Sequence, residues 1–560
     1  MRRGECLAFF DYGPVRAEAA AVLPPSIMPV VILSGSDYQM GYQYGQQAGQ
    51  YIEWKKDAAW VKALKEFGSR ETVIHELKAF QYYTKEYTPE AIKEMEGMAD
   101  GATSCGYEVS YTDILLLNTI NTRTRRPTST ATYPYGANDD KLPPEGCSIW
   151  SAWGNTTTDG RLICAKSSDA EFEPQVAIVA FPDEGNHYMA TAPAGELSDN
   201  PCMNDKGVFI GTSGGFANRE IDFDYGVLTS CAYQHLLRFT DSASEAKDMF
   251  SSWHYPRGSN LHFSDVGGNA FVVEVTAAVK SVRKPGDFGE ADFIYSTNNY
   301  FANEMKEAIR GERFIEHAGW LGRGWSISSI SRNLELWNMF HNYQGKVDLE
   351  FAKMIWRVPG NQPPYPLDAK AYEATQGKGW DEKICNLDTR RIGIMLPDKG
   401  DKGVAYICTG PAGRVAYPLY PGPGDGHWYQ IAGTHTFYQL ALASSPAEVI
   451  EAAKKEAHAS IADAYQKLMF LNYRDAGYAA LNDLYSQANA EYYEGIAVYN
   501  KGLLSGGNEA LRCFAQAATA FTRSQAHATQ IHDVLVPPAT RPEDLGLNRY
   551  GGSWAKWVNR

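Results

Sequence analysis

Apolar positions divide the chain into parts with different periodicities. In residues 39–64 and 70–101 they recur at three- and four-residue spacing, which is typical of amphipathic helices. Over residues 147–440 they fall mainly in short runs bounded by turn-forming residues, which predicts strands. After that the chain is rich in Ala, Glu, Tyr and Leu, which predicts long helices, with Ser445 as an N-cap and Pro446 at the first helical position. These patterns indicate an α+β protein with helical parts at both ends.

The middle part is predicted to hold most of the strands. Two helices, over residues 227–237 and 244–253, interrupt them. The predicted strands cover residues 146–155, 160–169, 175–180, 207–211, 260–263, 270–275, 293–296, 391–395 and 404–408. This alternation fits two sheets covered by helical layers.

The first two predicted strands suit a β-hairpin, because residues 146–155 and 160–169 are joined by a short turn that contains glycine. Such a hairpin would bring Lys166 and Asp169 back to the level of Cys147. A cation beside a thiol favours the thiolate, and a carboxylate can orient an amine or a water. Cys147 is therefore a candidate nucleophile.

The segment ahead of Cys147 has the composition of an exposed, cleavable linker, since residues 122–145 lack hydrophobic periodicity and are rich in turn formers. If the bond between Gly146 and Cys147 breaks, Cys147 becomes a new N-terminus. Its α-amino group, which titrates near neutral pH, can then act as general base for its own thiol. Gly146 also has no side chain to block attack of the thiol on its carbonyl. The sequence therefore predicts self-cleavage at this bond.

The hairpin resembles that of the self-processing N-terminal-nucleophile hydrolases of the penicillin acyltransferase family, which are relatives of the choloylglycine hydrolases. Further segments agree in order and spacing, so that the resemblance covers roughly residues 30–440. Residues 35–45, 94–101 and 113–118 are similar to the helical prosegment, residues 296–298 to a strand end that carries an oxyanion-hole asparagine, and residues 328–332 to a helix start that carries an active-site arginine.

The resemblance implies a four-layer αββα sandwich. It also implies a helical prosegment over residues 1–146, which becomes the α subunit after cleavage, and a catalytic domain over residues 147–440. A helical C-terminal extension, residues 441–560, follows and is expected to pack on the catalytic body or to make an oligomer contact.

The resemblance also implies residue roles. Cys147 would be the nucleophile, and Asn298 with a backbone N–H would hold the oxyanion. Asp169 would hold the α-ammonium group, while Lys166 or Arg332 would bias the thiol toward its ionised form.

This chain departs from the family pattern at two places. Lys166 stands where many relatives have arginine, so the charge is kept but the bidentate fork is lost. In the strand that would supply a second oxyanion donor no asparagine is in register, so Thr212 or Ser213 would have to substitute.

These roles describe a cysteine amidase or acyltransferase that acts on the amide C–N bond of a small N-acyl compound through an acyl-enzyme on Cys147. Hydrolysis is favoured over transfer, because water is always present and an acyl acceptor would need a further site. Two alternatives stay open: an acyl-CoA-dependent N-acyltransferase, and a non-catalytic binding or scaffold protein that retains the fold.

Composition narrows the partners and the location. A formal charge of -14 disfavours nucleic acid as a binding partner. The sequence has no run of 18 apolar residues, so we expect no membrane span. The nine cysteines show no Cys-x-x-Cys pair and the histidines show no metal-ligand spacing, so we expect no metal and no cofactor. The scattered cysteines are expected to be reduced thiols, which predicts a cytoplasmic protein. The expected assembly is a heterodimer of self-cleaved subunits, with higher oligomers left open.

Overall fold

The structure is a computed structural model of the chain. It describes residues 27–123, 146–169, 173–215, 224–306, 327–357, 389–410, 436–471, 477–536 and 541–547, together with positions 384, 412, 420–421, 428–429 and 538–539. The predicted linker lies outside the described residues from position 124 onward, and its first two residues end a helix.

The described residues contain eleven α-helices. They are α1 Asp37–Phe67, α2 Arg70–Tyr87, α3 Glu90–Ser104, α4 Tyr111–Arg123, α5 Thr229–Phe239, α6 Ala243–Ser252, α7 Ile327–Asn342, α8 Leu349–Ile355, α9 Pro446–Met469, α10 Tyr478–Leu504 and α11 Gly507–Leu535. The helical pattern predicted over residues 70–101 is split between α2 and α3 at Pro89, which has no backbone N–H to continue a helix. Ser445 caps α9 as predicted, since its side chain accepts a hydrogen bond from the backbone N–H of Glu448.

The described residues also contain sixteen strands. They are β1 Val30–Gly35, β2 Gly146–Ala152, β3 Ile163–Asp169, β4 Gln175–Pro182, β5 Tyr188–Pro193, β6 Cys202–Asn204, β7 Val208–Gly214, β8 Ser259–Asp265, β9 Ala270–Val275, β10 Lys280–Arg283, β11 Phe293–Ser296, β12 Thr389–Leu396, β13 Val404–Thr409, β14 Tyr420–Pro421, β15 Trp428–Tyr429 and β16 Tyr438–Ala441.

Fourteen of these strands form two large sheets. The eight-stranded sheet has the order β1-β4-β5-β6-β7-β8-β9-β10, and the six-stranded sheet has the order β11-β2-β3-β12-β13-β16. Strand β1 falls in the part that was expected to be helical, yet it pairs in parallel with β4 at the edge of the larger sheet. The protein is thus of mixed α+β architecture.

Side chains that alternate along the strands belong to three hydrophobic clusters. On β1, Val31 and Leu33 join a cluster with residues of α1 to α6, whereas Val30 and Ile32 join a second cluster. That second cluster also contains Ile149 of β2, so it includes residues of both sheets. The opposite face of the six-stranded sheet packs with residues of α7 and α8 in the third cluster.

The C-terminal helices pack on the sheets, which agrees with one of the two expectations for this part. Helix α11 contacts both β1 and β16, the edge strands of the two sheets. Its Thr519 Oγ1 accepts a hydrogen bond of 2.9 Å from the backbone N–H of Val30. Helix α11 therefore covers one edge of each sheet.

Glu94 of α3 is a buried carboxyl group that should make the stability of this helical layer depend on pH. The side chain is fully buried, and its Oε2 accepts a hydrogen bond of 2.7 Å from Gln234 on α5. Burial raises the pKa of Glu94 to about 8, although the nearby charge of Arg238 opposes that rise. The unfolded chain releases this proton at a lower pH than the folded chain, so stability falls as the pH rises through the acidic range up to about 8.

We therefore expect Glu94→Gln to raise the melting temperature at pH 8 and to leave it nearly unchanged at pH 4, as measured by thermal unfolding. Glu96→Gln on the same helix is the matched control, because the Glu96 side chain is 40% exposed and forms an ion pair with Lys93 on its own helix. The same melting shift at both pH values would show that Glu94 does not titrate in this way.

Candidate functional site

The predicted hairpin is confirmed, and it defines the centre of the site. Strands β2 and β3 pair antiparallel, with Gly146 opposite Asp169 and Cys147 opposite Ser168. Cys147 is partly buried at the start of β2. The thiol-bearing residue thus sits at the end of a two-strand ladder, as the sequence predicts.

Lys166 belongs to the same face of the ladder as Cys147. Directly paired residues share a face, and so do residues two apart on one strand, which groups Cys147, Ser168 and Lys166. Lys166 is only 3% exposed, and its Nζ donates a hydrogen bond of 2.7 Å to Ser168 Oγ. Burial lowers the pKa of Lys166, while the charges of Cys147 and Asp199 oppose that change.

Asn298 and Arg332 converge on the main chain of Cys147. Asn298 Oδ1 accepts hydrogen bonds from Cys147 N at 3.1 Å and from Arg332 Nη2 at 2.7 Å. Arg332 Nη1 donates to the carbonyl oxygen of Cys147 at 2.7 Å and to Ser148 Oγ at 3.0 Å. Arg332 is fully buried on α7. The structure therefore brings three of the residues named from the sequence into one hydrogen-bonded group.

A serine at the start of α7 fixes the loop that carries Asn298. Ser329 Oγ accepts a hydrogen bond of 2.9 Å from Asn298 N, and Ser329 O accepts one of 2.9 Å from Thr297 Oγ1. Ser329 Oγ also donates a hydrogen bond of 2.6 Å to Asn299 Oδ1. Ser329 lies inside the segment named for Arg332, but nothing in the sequence showed that its hydroxyl would hold the asparagine.

Asp169 lies across the ladder from Gly146, beside the bond predicted to break. Its Oδ1 accepts a hydrogen bond of 2.6 Å from Thr389 Oγ1 on β12, and its Oδ2 accepts one of 3.3 Å from Ser167 Oγ. These bonds hold the carboxylate in place at the end of the ladder that carries Gly146 and Cys147.

Thr212 and Ser213 use their hydroxyl groups for main-chain contacts. Thr212 Oγ1 donates to Asn260 O at 2.9 Å, and Ser213 Oγ donates to Thr297 O. An oxyanion role for either hydroxyl would require that bond to break. Asn298 needs less rearrangement, since its Nδ2 donates one hydrogen bond, to Gly214 O at 2.8 Å, and an amide nitrogen has two hydrogens.

Sequence reasoning missed a group of buried charges beside this ladder. Arg391 of β12, which is fully buried, pairs with Asp199 from the loop between β5 and β6 and donates to Asn200 O at 3.0 Å. Arg391 stands opposite Ser168, which in turn stands opposite Cys147. One signal of these buried charges is visible in the sequence, which is the pair of adjacent arginines, Arg390 and Arg391, at the start of a predicted strand.

The charge group continues into the helical part. Arg390 pairs with Glu173, whose other oxygen lies 3.1 Å from the Nζ of Lys55 on α1. Lys55 also lies 2.7 Å from Glu196. Burial works against ionisation of Asp199, but the charges of Arg391 and Lys166 hold its pKa below the ordinary value. Cys147 is thus next to a network in which cations and carboxylates alternate.

The sequence showed no metal-ligand spacing, but the fold brings His187, Asp205 and Asp401 within 4.8 Å of one another. Asp401 Oδ1 lies 3.0 Å from His187 Nδ1, and Asp205 Oδ2 lies 3.4 Å from Lys206 Nζ. Asp401 and Asp205 thus each have a basic side chain as a partner. His427 and His435 lie outside the described residues.

Six of the described cysteines are free thiols, whereas Cys105 is disulfide-bonded, so the expectation of reduced thiols throughout is wrong for that residue. In the described part of the chain, every helix is too short or too polar to cross a bilayer.

Fold and site together define an α+β protein with a buried Asn–Arg pair holding the backbone of a partly exposed cysteine. No protein-family model matches the chain. An uncharacterized protein of Archaeoglobus fulgidus is 28% identical over 312 residues, which is 50% of this chain and 51% of that protein. The chain therefore spans about half the length of the curated relative it matches.

Three solved structures also show similarity. An N-acylethanolamine-hydrolyzing acid amidase ortholog of Caenorhabditis elegans is 13% identical, covers 45% of this chain and 93% of its own, and has a TM-score of 0.28. A variant of conjugated bile acid hydrolase from Clostridium perfringens is 13% identical, with 47% and 89% covered and a TM-score of 0.29. Penicillin V acylase from Agrobacterium tumefaciens is 10% identical, with 47% and 83% covered and a TM-score of 0.27.

Proposed function

We propose that the protein is a self-cleaving cysteine amidase of the N-terminal-nucleophile type, which hydrolyses the C–N bond of a small N-acyl compound through an acyl-enzyme on Cys147. The convergence of Asn298 and Arg332 on the main-chain N and O of Cys147 carries this proposal. A structural cysteine in a strand needs no such pair of buried polar side chains, whereas an N-terminal nucleophile needs its backbone and amine fixed.

In the proposed mature enzyme, Cys147 N is an amine that Asn298 Oδ1 holds in position, as it holds the peptide N–H of the intact chain. Arg332 anchors the adjoining carbonyl through Nη1. The amine takes the proton of the thiol, and the thiolate attacks the substrate carbonyl carbon. The second Nδ2 hydrogen of Asn298 then stabilises the oxyanion.

Collapse of the tetrahedral intermediate breaks the C–N bond, and the leaving amine takes a proton from the α-ammonium group of Cys147. Water then adds to the thioester with that amine as base, which releases the carboxylic acid and restores the thiol. In this scheme Asp169 holds the α-ammonium group, and Lys166 supplies a positive charge beside the thiolate.

The proposal includes the organisation expected from the sequence. Residues 1–146 would form the prosegment, residues 147–440 the catalytic domain and residues 441–560 the extension, with the two cleaved subunits remaining as a heterodimer. A four-layer αββα arrangement is supported by the way the hydrophobic clusters divide between the two faces of each sheet.

The proposal is tested by incubating the purified protein with a panel of N-acyl amines and N-acyl amino acids. Released amine gives the turnover, and the mass of the peptide that begins at Cys147 reveals the acyl-enzyme. We expect a thioester on Cys147 with at least one substrate. Turnover only when acyl-CoA is supplied would indicate the N-acyltransferase, and an intact, inert chain would indicate a binding or scaffold protein.

A further inference from the structure

The intact chain lacks the base that the mature enzyme would use. Before cleavage Cys147 N is a peptide nitrogen, and its hydrogen is donated to Asn298 Oδ1 at 3.1 Å. A peptide nitrogen has no lone pair available to take the proton of the thiol. Attack of Cys147 on the carbonyl of Gly146 therefore needs another group as base.

Lys166 is a buried amine whose position suits it to act as this base. Its Nζ donates a hydrogen bond to Ser168 Oγ at 2.7 Å, and Ser168 is the ladder partner of Cys147. A hydroxyl group can accept from an ammonium or donate to a neutral amine, so this contact suits both protonation states. The bond holds the end of the lysine side chain alongside the cysteine.

Burial of Lys166 favours loss of its proton. Burial lowers the pKa of Lys166, and the cations Arg391 and Arg390 on β12 lower it further. Cys147 on β2 and Asp199 from the β5–β6 loop act in the opposite direction. The anions are partly committed elsewhere, because Asp199 pairs with Arg391, Glu173 pairs with Arg390, and Asp169 on the same strand accepts from Thr389 and Ser167.

We propose that Lys166 is the general base of self-cleavage, an assignment that rests on the proposed function. The neutral amine takes the thiol proton, and the Cys147 sulfur attacks the carbonyl carbon of Gly146. The tetrahedral intermediate breaks its C–N bond, and the resulting ammonium of Lys166 gives a proton to Cys147 N as it leaves. The product is a thioester between Gly146 and Cys147, which water hydrolyses to a carboxylate and a free thiol.

This role requires lysine rather than arginine at position 166. A guanidinium stays protonated at every accessible pH and cannot take a proton, whereas a buried lysine can. Once cleavage has exposed the α-amino group, that amine becomes the base, and protonated Lys166 supplies only its charge.

The test compares Lys166→Arg, which keeps the charge but cannot act as base, with Lys166→Met, which loses both. The full-length chain is made by cell-free synthesis, and self-cleavage is followed over time by intact mass at several pH values. We expect both variants to cleave roughly 10²-fold or more slowly than the unchanged chain, within the range for loss of a general base. Their remaining rate should rise about tenfold per pH unit, because hydroxide replaces the lysine. Lys206→Arg is the control and should cleave at the unchanged rate, since Lys206 pairs with Asp205 outside the site.

Cleavage of Lys166→Arg within a few-fold of the unchanged chain would overturn the assignment, because charge alone would then suffice. Folding is monitored by thermal unfolding, and Lys166→Ala with added ethylamine gives a second measurement. Cleavage restored in proportion to the free amine supports the base, and a folded Lys166→Ala chain that ethylamine fails to restore contradicts it. An unchanged chain that never cleaves would instead refute self-cleavage in the proposed function, and the base assignment with it.

Discussion

Replacing Cys147 with alanine should leave a single intact chain of 62.0 kDa with no amidase activity at any pH. The variant has no side-chain nucleophile for attack on Gly146, and it has none for attack on a substrate. Intact mass and release of amine from the best N-acyl substrate measure the two losses separately.

Cys164→Ala is the matched control for that variant. Cys164 lies on the neighbouring strand β3, is fully buried, and has a pKa raised by burial, so it should behave as an inert core thiol. Cys164→Ala should therefore cleave and turn over at rates close to those of the unchanged chain. Amidase activity in Cys147→Ala, or its loss in Cys164→Ala alone, would place the nucleophile elsewhere.

Replacing Asn298 should reduce acyl transfer by roughly 10²–10³-fold, which is the cost of losing one oxyanion donor. Two variants separate the functions of this amide. Asn298→Ala removes both ends of the amide, whereas Asn298→Asp keeps an oxygen for Cys147 N and Arg332 but removes the Nδ2 donor. Both variants should lose turnover with little loss of thermal stability.

The measurement is kcat/KM for the substrate that gives the acyl-enzyme, together with the melting temperature of each variant. A fully active Asn298→Asp would show that the amide positions the N-terminus without holding the oxyanion. A fully active Asn298→Ala would remove the residue from the site altogether.

Local features of the site could be predicted from the sequence. The β2–β3 hairpin depends on two apolar runs that are close in sequence, although the strands end at Ala152 and begin at Ile163, so the connection is longer than the predicted turn. The register of this hairpin alone places Lys166 and Asp169 near Cys147. Asn298 and Arg332 are distant in sequence, and their interpretation came only from a family resemblance, yet the structure brings both to Cys147.

Long-range pairings could not be predicted. Strand β1 looks like a short lead into a helix, and it becomes a strand because β4, more than 140 residues later, supplies its hydrogen-bond partners. Asp199 pairs with Arg391 across 192 positions of the chain, from a loop between two strands of the other sheet. No periodicity within a short window reports such contacts, and the charge network beside Cys147 is therefore visible only in the fold.

The second oxyanion donor expected on β7 also could not be predicted from the sequence. The family resemblance of this segment suggested Thr212 or Ser213 as a hydroxyl donor, because the sequence does not show which acceptor a buried hydroxyl already has. The fold commits both hydroxyls to carbonyl oxygens of neighbouring segments. The carbonyl of Gly214, at the end of the same strand, instead receives the Asn298 amide.

The most direct test of the central claim is the intact mass of the purified full-length chain after incubation in reductant, followed by N-terminal sequencing. If Cys147 is a self-exposed N-terminal nucleophile, two fragments of roughly 16 and 46 kDa should appear, at about 110 Da per residue, and the larger one should begin at Cys147. Recovery of only the 62.0 kDa chain after long incubation, or of a cut at any other bond, would contradict the claim.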